Sequence, residues 1–195
     1  MINDFHKDHY FLSNFYSSPL YYDGMLYPTV EHAFQAAKMV NYSDRLAIQN
    51  AEGPNIAKRL GRRGLMRSDW ESVKVDVMRK CLQYKFLLNP ELRSKLKATA
   101  PHQLVEGNTW HDNCWGDCSC PKCANIIGTN HLGKLLMEIR DKDIAGDYVF
   151  GAVLDADSDD LCIFNSVEEC KDFLKAHNCI CDDRHLLIWD KSMIA

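Results

Sequence analysis

Residues 27 to 39 read YPTVEHAFQAAKM, and this stretch predicts the helix on which the rest of the fold depends. Its apolar residues recur with the spacing of one helical face, which should therefore belong to the core. Glu31, Gln35 and Lys38 repeat at i, i+4 and i+7 and form a polar stripe beside that face. Pro28 suits the first turn, and the helix dipole should then favour the ionised form of Glu31. The apolar face consists of Val30, Ala33, Phe34 and Ala37.

The polar stripe has two interpretations. A Glu/Lys pair on a helix is commonly a solvated surface pair, which contributes little to stability. Alternatively, the stripe reaches a cleft at the edge of the core, where its carboxylate can take part in chemistry. The remainder of the chain has to decide between the two.

Length and composition indicate one substantial domain with at most a small appendage, because the chain has 195 residues. A formal net charge of -4 excludes a global attraction to nucleic acid or anionic lipid, so any basic site must be local. No apolar run approaches the roughly 20 residues that span a bilayer, and the first residues do not resemble a signal peptide. We therefore expect no membrane partner and a cytoplasmic location. The odd number of nine cysteines then favours buried thiols or metal ligands over disulfides.

Capping residues and apolar periodicity predict a mainly helical chain after the first helix. Ser68 and Glu71 fit the capping-box pattern, so a long helix should run from there to about Leu88. Asn89 and Asn130 are suitable N-caps for two further helices. The other elements expected in this part are a hairpin that turns at Asp23-Gly24 and short helices over residues 44–50 and 54–60.

The sequence pattern changes after Gly146. Ser166 and Glu169 belong to another capping box, which predicts a helix up to His177. Strands are predicted over residues 148–154, 161–164 and 185–189, with an acidic turn at 155–160. We therefore predict an α+β fold with a compact, mainly helical domain over residues 1–145. A small ββαβ appendage of unassigned role follows over residues 146–195.

Residues 107 to 130 read GNTWHDNCWGDCSCPKCANIIGTN and should form a long loop. A loop of this length in a compact domain is usually functional or held by a metal. Zinc accepts four thiolate or imidazole ligands tetrahedrally, and such a closed site would be structural. Only one residue separates Cys118 from Cys120, however, so the spacing is poor for a zinc knuckle, and we expect thiols without a metal. The candidate ligands are Cys114, Cys118, Cys120 and Cys123 with His111 beside them, and Cys179 and Cys181 at a distance.

A basic run and several aromatic residues are further candidates for a binding site. Residues 58 to 67 read KRLGRRGLMR, and arginine binds phosphate in bidentate fashion, although a solvated basic face explains the run equally well. Trp70 is either a hydrophobic anchor or a platform on which a planar ligand stacks. The aromatic residues of FLSNFY, at 11 to 16, can likewise line a pocket or fill the core.

Blocks of this chain follow one another in the order of a known family pattern. The blocks are FLSNFY at 11–16, the helix with EHAFQAAK, AKRLGRR at 57–63, SDWESVK at 68–74, MRKCLQYKF at 78–86, LVEG at 104–107, Asp112 with Trp115-Gly116, and NHLGKLLMEIR at 130–140. Together they resemble the NADAR family, also called YbiA-like, over roughly residues 5 to 141. The resemblance implies a compact, largely helical α+β domain that cleaves or binds N-glycosidic bonds to ribose and needs no cofactor.

The resemblance also implies substrates and site residues. The substrates are phosphorylated ribosylaminopyrimidine intermediates of riboflavin biosynthesis or ADP-ribose attached to guanine in DNA or RNA. Glu31 is expected to be the central catalytic carboxylate, Asp112 a second acidic group and Trp70 a stacking residue. A ribosyl C–N bond breaks through an oxocarbenium-like state, so a carboxylate and an acid for the departing base suit this chemistry. The residues expected to line the pocket are Asn14, Phe15, Tyr16, Lys38 and Lys85.

The leading hypothesis is therefore an N-glycosidase that hydrolyses a ribose–base bond. The alternative is a non-catalytic module that binds ADP-ribose or another nucleotide. A third hypothesis, a zinc-containing nucleic-acid-binding protein, rests on the cysteines and the basic run. The cysteine-rich insert at 114–124 and the residues after 146 lie outside the family pattern.

Overall fold

The structure, a computed structural model, describes residues 1–154 and 161–193 and confirms the predicted α+β fold. None of the helices in these two ranges is both long enough and apolar enough to cross a membrane. The α-helices are α1 (Val30–Ala37), α2 (Tyr42–Gln49), α3 (Pro54–Leu60), α4 (Trp70–Leu87), α5 (Pro90–Lys97), α6 (His131–Ala145) and α7 (Val167–Ala176). The strands are β1 (Leu20–Tyr22), β2 (Met25–Tyr27), β3 (Gly107–Asn108), β4 (Asp117–Cys118), β5 (Tyr148–Val153), β6 (Leu161–Phe164) and β7 (Leu186–Asp190).

Helix α1 is buried along its whole length, because α2, α3 and α4 all pack against it. Thr29 is its N-cap, and the Thr29 hydroxyl accepts a hydrogen bond from the backbone N–H of His32 at 3.3 Å. The sequence had suggested that Pro28 occupies the first turn, but Pro28 precedes the N-cap residue and lies outside the helix. The predicted apolar face lies in the core, and Glu31 and Gln35 of the polar stripe are buried beside it, whereas Lys38 is half-buried.

Helix α4 begins one residue later than the capping box predicts. Asp69, not Ser68, is the N-cap residue, and its side chain makes no capping hydrogen bond. The Asp69 carboxylate instead accepts two hydrogen bonds from the Arg67 guanidinium, at 2.5 and 2.8 Å. The Asp69 carboxylate is therefore paired with Arg67 and does not cap the helix.

The predicted caps of α5 and α7 are confirmed. The Asn89 side chain accepts a hydrogen bond from the N–H of Leu92, and the Ser166 hydroxyl accepts one from the N–H of Glu169, each at 3.2 Å. Both side chains satisfy N–H groups that have no partner within the first helical turn.

Asn130 does not cap α6, although it occupies the N-cap position. It has a left-handed backbone, with φ 52°, and its side chain turns toward the preceding segment. The Asn130 side chain accepts a hydrogen bond from the N–H of Glu106 at 3.0 Å and donates one to the carbonyl of Leu104 at 2.9 Å. The start of α6 thereby fixes the position of the segment that carries Glu106.

The C-terminal residues form the predicted ββαβ unit, with the three-stranded antiparallel order β6-β5-β7. The acidic turn expected at 155–160 lies outside the described residues. Gly151 in the central strand β5 is required for close packing, because a Cβ atom there would lie 2.2 Å from the Trp189 ring. Tyr148, Phe150 and Leu186 belong to the same hydrophobic core as α1, α4 and α6. The boundary at residue 145 stays a prediction.

A buried carboxylate joins the C-terminal unit to the N-terminal hairpin. The hairpin turns at Asp23-Gly24, whose φ values of 52° and 72° suit a tight two-residue turn. The Asp183 carboxylate accepts hydrogen bonds from both turn N–H groups, at 2.6 and 2.9 Å, and contacts Lys80 of α4 at 3.1 Å. The Tyr84 hydroxyl of α4 donates to the Leu186 carbonyl at 2.7 Å. The C-terminal unit is thus hydrogen-bonded to the helical part.

Replacing Tyr84 with Phe should lower the free energy of unfolding by about 1–2 kcal/mol, because the buried Leu186 carbonyl loses its donor. Urea unfolding measures this loss. Tyr42→Phe is the matched control, since Tyr42 is 66% exposed, and should change the free energy by less than about 0.5 kcal/mol. Equal stability of the two variants would contradict the stabilising role of this hydrogen bond.

Candidate functional site

A cavity of about 920 Å³ opens beside α1, which is within the usual range for small-molecule sites. Its walls come from α1, α3, α4, the segment before the hairpin and the loop after residue 105. The predicted site residues that line it are Asn14, Phe15, Glu31, Lys38, Trp70 and Asp112. Five separate parts of the chain thus converge on one cavity.

Glu31 is a buried carboxylate in the wall of this cavity, with only 5% of its surface exposed. The surface-pair interpretation of the polar stripe is therefore wrong. The Gln35 amide donates to Glu31 Oε1 at 2.8 Å, and Lys38 Nζ donates to Gln35 Oε1 at 3.1 Å. Burial raises the pKa of Glu31, while Lys58, the Gln35 hydrogen bond, Lys38 and Arg62 oppose that rise. The sequence had suggested that the helix dipole would favour the ionised form of Glu31, but the pKa of this carboxyl group is raised.

The basic run divides between the cavity and the surface. Lys58 and Arg62 line the cavity, and Lys58 Nζ lies 5.8 Å from the centre of the Phe15 ring. Arg67 is paired with Asp69 instead. Lys58 and Arg62 are four residues apart, so both can face the cavity from the end of α3.

Glu106 also lines the cavity, although it was not among the site residues expected from the sequence. Burial raises the pKa of Glu106 to about 7, and the nearby carboxylates of Asp112 and Glu31 add to the rise, while Lys58 opposes it. A carboxyl group with such a pKa carries a proton about half of the time at neutral pH. The only signal in the sequence was the block LVEG, which belonged to the family pattern.

Asp112 lines the cavity but its carboxylate is engaged in a turn. Asp112 Oδ1 accepts hydrogen bonds from the N–H groups of Cys114, at 3.1 Å, and Trp115, at 2.8 Å. The Asn108 side chain closes the other side of this turn, since it accepts from the Asp112 N–H and donates to the Asp112 carbonyl. The carboxylate therefore shapes the loop that forms one cavity wall.

Aromatic rings form an apolar side of the cavity. Trp70 packs against Phe34 with ring centres 4.9 Å apart, and Trp115 packs against the same ring at 5.2 Å. Trp70 is only 5% exposed, so it is both a core anchor and part of the wall. Trp110 is 54% exposed and also lines the cavity. No pattern in the sequence distinguished Trp110, and Trp115 belonged to a family block without being an expected site residue.

Tyr16 and Lys85 do not line the cavity, contrary to the expectation from the sequence. Lys85 is 1% exposed, and its Nζ donates to the Ser13 carbonyl at 2.8 Å and lies 5.4 Å from the centre of the Tyr16 ring. Lys85 thus supports the cavity-lining segment of Ser13 and Asn14 from behind. Burial lowers the pKa of Lys85 to about 7.

The cysteine-rich loop next to the cavity contains a compact cluster of side chains that can hold a metal. Its donor atoms all lie within 4.8 Å of one another. Cys114, one of the predicted thiols, is not in the cluster and lines the cavity instead. Cys179 does not complete the cluster either, since its thiol donates to the Leu154 carbonyl at 3.6 Å. The members of the cluster are His111, Cys118, Cys120 and Cys123.

Comparisons with known proteins agree with this architecture. The sequence model of the NADAR domain matches residues 2–142, which include every cavity residue. The N-glycosidase YbiA of Escherichia coli (strain K12) is 46% identical over 132 residues, which are 67% of this chain and 79% of that protein. The chloroplastic riboflavin biosynthesis protein PYRR of Zea mays is 39% identical over 130 residues, or 60% of this chain and 20% of that protein. The NMR structure of E. coli YbiA superimposes with a TM-score of 0.64 at 40% identity, covering 74% of this chain and 88% of that chain.

Lys85→Met should flatten the pH dependence of stability between about pH 7 and 10.5. The folded protein binds the Lys85 proton with a pKa of about 7, whereas the unfolded chain retains the ordinary value of 10.5. The unfolded state therefore holds more protons in this window, so the free energy of unfolding of the wild type should rise with pH. Urea unfolding at a series of pH values measures the slope. The exposed Lys134 provides the control Lys134→Met, which should keep the wild-type slope, and a Lys85→Met slope equal to it would contradict the lowered pKa.

Proposed function

This chain belongs to the NADAR domain family, and from this premise we propose that it is an N-glycosidase, a hydrolase that cleaves the bond between ribose and a base. The observation that carries the proposal is the buried carboxylate of Glu31 in a cavity that also has cationic and aromatic walls. Hydrolysis of this bond transfers no electrons, so the reaction needs no redox cofactor. The expected cytoplasmic location is part of the same proposal.

Glu31 is proposed as the carboxylate that stabilises the oxocarbenium-like transition state or activates the attacking water. Its hydrogen bond from Gln35 fixes the orientation of the carboxylate, and Lys38 in turn fixes Gln35. Lys58 and Arg62 favour its ionised form against the effect of burial. A negative charge held in place in this way is worth more to the transition state than one in water.

Glu106 is proposed as the acid that protonates the departing base. Its pKa of about 7 lets it carry a proton at neutral pH, whereas Glu31 has more cations around it. Two carboxyl groups whose surroundings differ in this way can divide the roles of acid and base. Asp112, which the family resemblance suggested for the second acidic role, is then the residue that holds the loop and raises the pKa of Glu106.

The remaining cavity residues are proposed to bind the rest of the substrate. Lys58 and Arg62 provide positive charge for a phosphate, since arginine and lysine both bind phosphate oxygens. Trp70 and Phe15 provide apolar surface for the planar base. Asn14 Oδ1 is buried and has no hydrogen-bond partner among the residues that the structure describes, so it is available to accept from a ribose hydroxyl.

We propose two substrate classes for this cavity. The first is a phosphorylated ribosylaminopyrimidine of riboflavin biosynthesis, and it is supported by the name of the Zea mays relative. The second is ADP-ribose attached to guanine in DNA or RNA. A volume of about 920 Å³ supports the second class, because it is near the upper end of the usual range of roughly 300–1,000 Å³ and leaves room for a second phosphate and an adenosine.

Glu31→Gln should lower kcat by about 100-fold or more, because it removes the negative charge and preserves the shape of the side chain. Wild type and variant are each incubated with a ribosylaminopyrimidine phosphate and with guanine-ADP-ribosylated DNA. Chromatography with mass analysis identifies the products. Release of ribose 5-phosphate would assign the first substrate class, and release of ADP-ribose the second.

The matched control is Glu91→Gln, which removes a carboxylate from the surface of α5 and should retain the wild-type kcat. Full turnover by Glu31→Gln would require another mechanism. Tight binding of one substrate without any product from the wild type would favour the non-catalytic binding module.

Glu106→Gln should remove the fall in kcat that we expect for the wild type above about pH 7. The protonated acid is present below its pKa of about 7 and is lost as the pH rises through it. The variant should also lose about 100-fold in kcat at pH 6, since proton donation contributes factors of this order. The pH dependence of kcat is measured for both proteins on the substrate found above.

Asp112→Asn distinguishes the role of the Asp112 carboxyl group from that of Glu106 in the same assay. The asparagine oxygen can still accept from the N–H groups of Cys114 and Trp115, so the turn is retained. Loss of the Asp112 charge should move the fall in kcat to lower pH, because that charge raises the pKa of Glu106. If the fall in kcat above about pH 7 disappears in Asp112→Asn and remains in Glu106→Gln, the acid role belongs to Asp112.

A further inference from the structure

The cysteine-rich loop has the donor set and the geometry of a closed metal centre. Three thiols and one imidazole nitrogen lie within 4.8 Å of one another, from residues 111, 118, 120 and 123. His111 Nδ1 is 3.1 Å from Cys120 Sγ and 3.4 Å from Cys123 Sγ. Zn–S and Zn–N bonds of about 2.3 and 2.0–2.1 Å place ligand atoms roughly 3.6 Å apart in a tetrahedron, so these separations are close to those of a zinc site.

Backbone features of the loop support ligation. The N–H of His111 points at Cys118 Sγ, at 3.3 Å, and such an N–H···S contact stabilises a thiolate. His111 has a left-handed backbone, with φ 68°, which residues other than glycine rarely adopt. This conformation lets residue 111 contribute both its N–H and its imidazole to the same group of sulfur atoms.

The cysteines are buried together, apart from the main hydrophobic core of the molecule. Cys118, Cys120 and Cys123 are each less than 10% exposed and form a separate small cluster. A loop of this size has little apolar surface with which to stabilise itself, and a metal can supply that stabilisation. The turn from Cys120 to Cys123 is closed by a backbone hydrogen bond of 2.9 Å, which brings these two thiols to one side.

We propose that His111, Cys118, Cys120 and Cys123 bind one Zn²⁺ ion as a structural site. Four protein ligands complete the tetrahedral coordination, so this zinc has no open position for substrate or water. The imidazole replaces Cys114, which had been a candidate ligand from sequence spacing alone. Binding converts the thiols to thiolates and releases their protons to solvent.

The proposed zinc site supports one wall of the cavity. Strand β4, which includes Cys118, pairs in parallel with β3, which directly follows Glu106. His111 immediately precedes Asp112, whose carboxylate holds the turn to Trp115. Zinc would therefore restrain the two ends of the segment that runs from β3 to β4. Its role is to position this wall, and the hydrolysis itself uses other residues.

Metal content of the reduced, purified protein tests the proposal. We expect one zinc per chain in the wild type and in Cys114→Ser, and roughly tenfold less in Cys120→Ser. Cys114→Ser is the matched control, since it removes a thiol of the same loop that is not in the cluster. His111→Cys should retain zinc with four thiolates, whereas His111→Ala should bind it more weakly.

A second measurement keeps the test decisive where Cys120→Ser fails to fold. Wild-type protein is stripped with a chelator and titrated with Co²⁺, whose tetrahedral thiolate complexes have intense visible absorption bands. Hydrogen exchange of residues 107–130 should slow when zinc is returned. No absorption band, together with no change in exchange, would overturn the proposal, as would equal zinc in Cys120→Ser and wild type.

Discussion

The burial of the Glu31 carboxylate is the constraint on which the rest of the structure depends. An ionised group inside a protein is costly unless hydrogen bonds and opposite charges compensate for the lost water. Gln35 supplies the hydrogen bond, and Lys38, Lys58 and Arg62 supply the charge. These groups come from α1 and from the end of α3, so the two helices must pack with their polar stripes facing the same cavity. The groups that compensate for the burial of Glu31 thus also fix the distribution of charge in the cavity.

A second carboxyl group in the same cavity has different surroundings. At Glu106, repulsion from Asp112 and Glu31 adds to burial in raising the pKa, and Lys58 opposes the rise. At Glu31, burial also raises the pKa, but Lys38 and Arg62 oppose the rise together with Lys58. The difference depends on the positions of Glu106 and Asp112, because Asn130 holds the segment before β3 and the Asp112 turn holds the loop after it. The acid and base roles of the proposed mechanism therefore follow from how these two segments are held. The cluster around His111 lies in the loop after β3 and is proposed to restrain it.

The scaffold behind the cavity uses buried polar contacts in the same way. Lys85 holds the segment before the hairpin through the Ser13 carbonyl, and Asp183 binds the hairpin turn through two N–H groups. Each contact joins parts of the chain that are far apart in sequence. Each also satisfies a buried polar side chain that water does not reach. The C-terminal ββαβ unit shares the core with the helices and contributes to this scaffold, although it lies beyond the matched family domain.

Local patterns were sufficient for the helices, the hairpin, the ββαβ order and the two sides of α1, because each depends on residues within a few positions of one another. Helical spacing also placed Glu31 beside the apolar face, but it left a surface pair and a cleft as alternatives, and only the family resemblance pointed to Glu31 as the catalytic carboxylate. The proposed acid role of Glu106, the position of Lys85 behind the cavity and the position of Cys114 outside the cluster around His111 could not be recognised in this way. The burial and pKa values of Glu106 and Lys85 arise from segments that are distant in sequence and meet only after folding, so their physical cause lies in the packing of the whole chain. In the cysteine-rich loop the cause is the backbone conformation, including the left-handed His111, which sequence spacing does not specify.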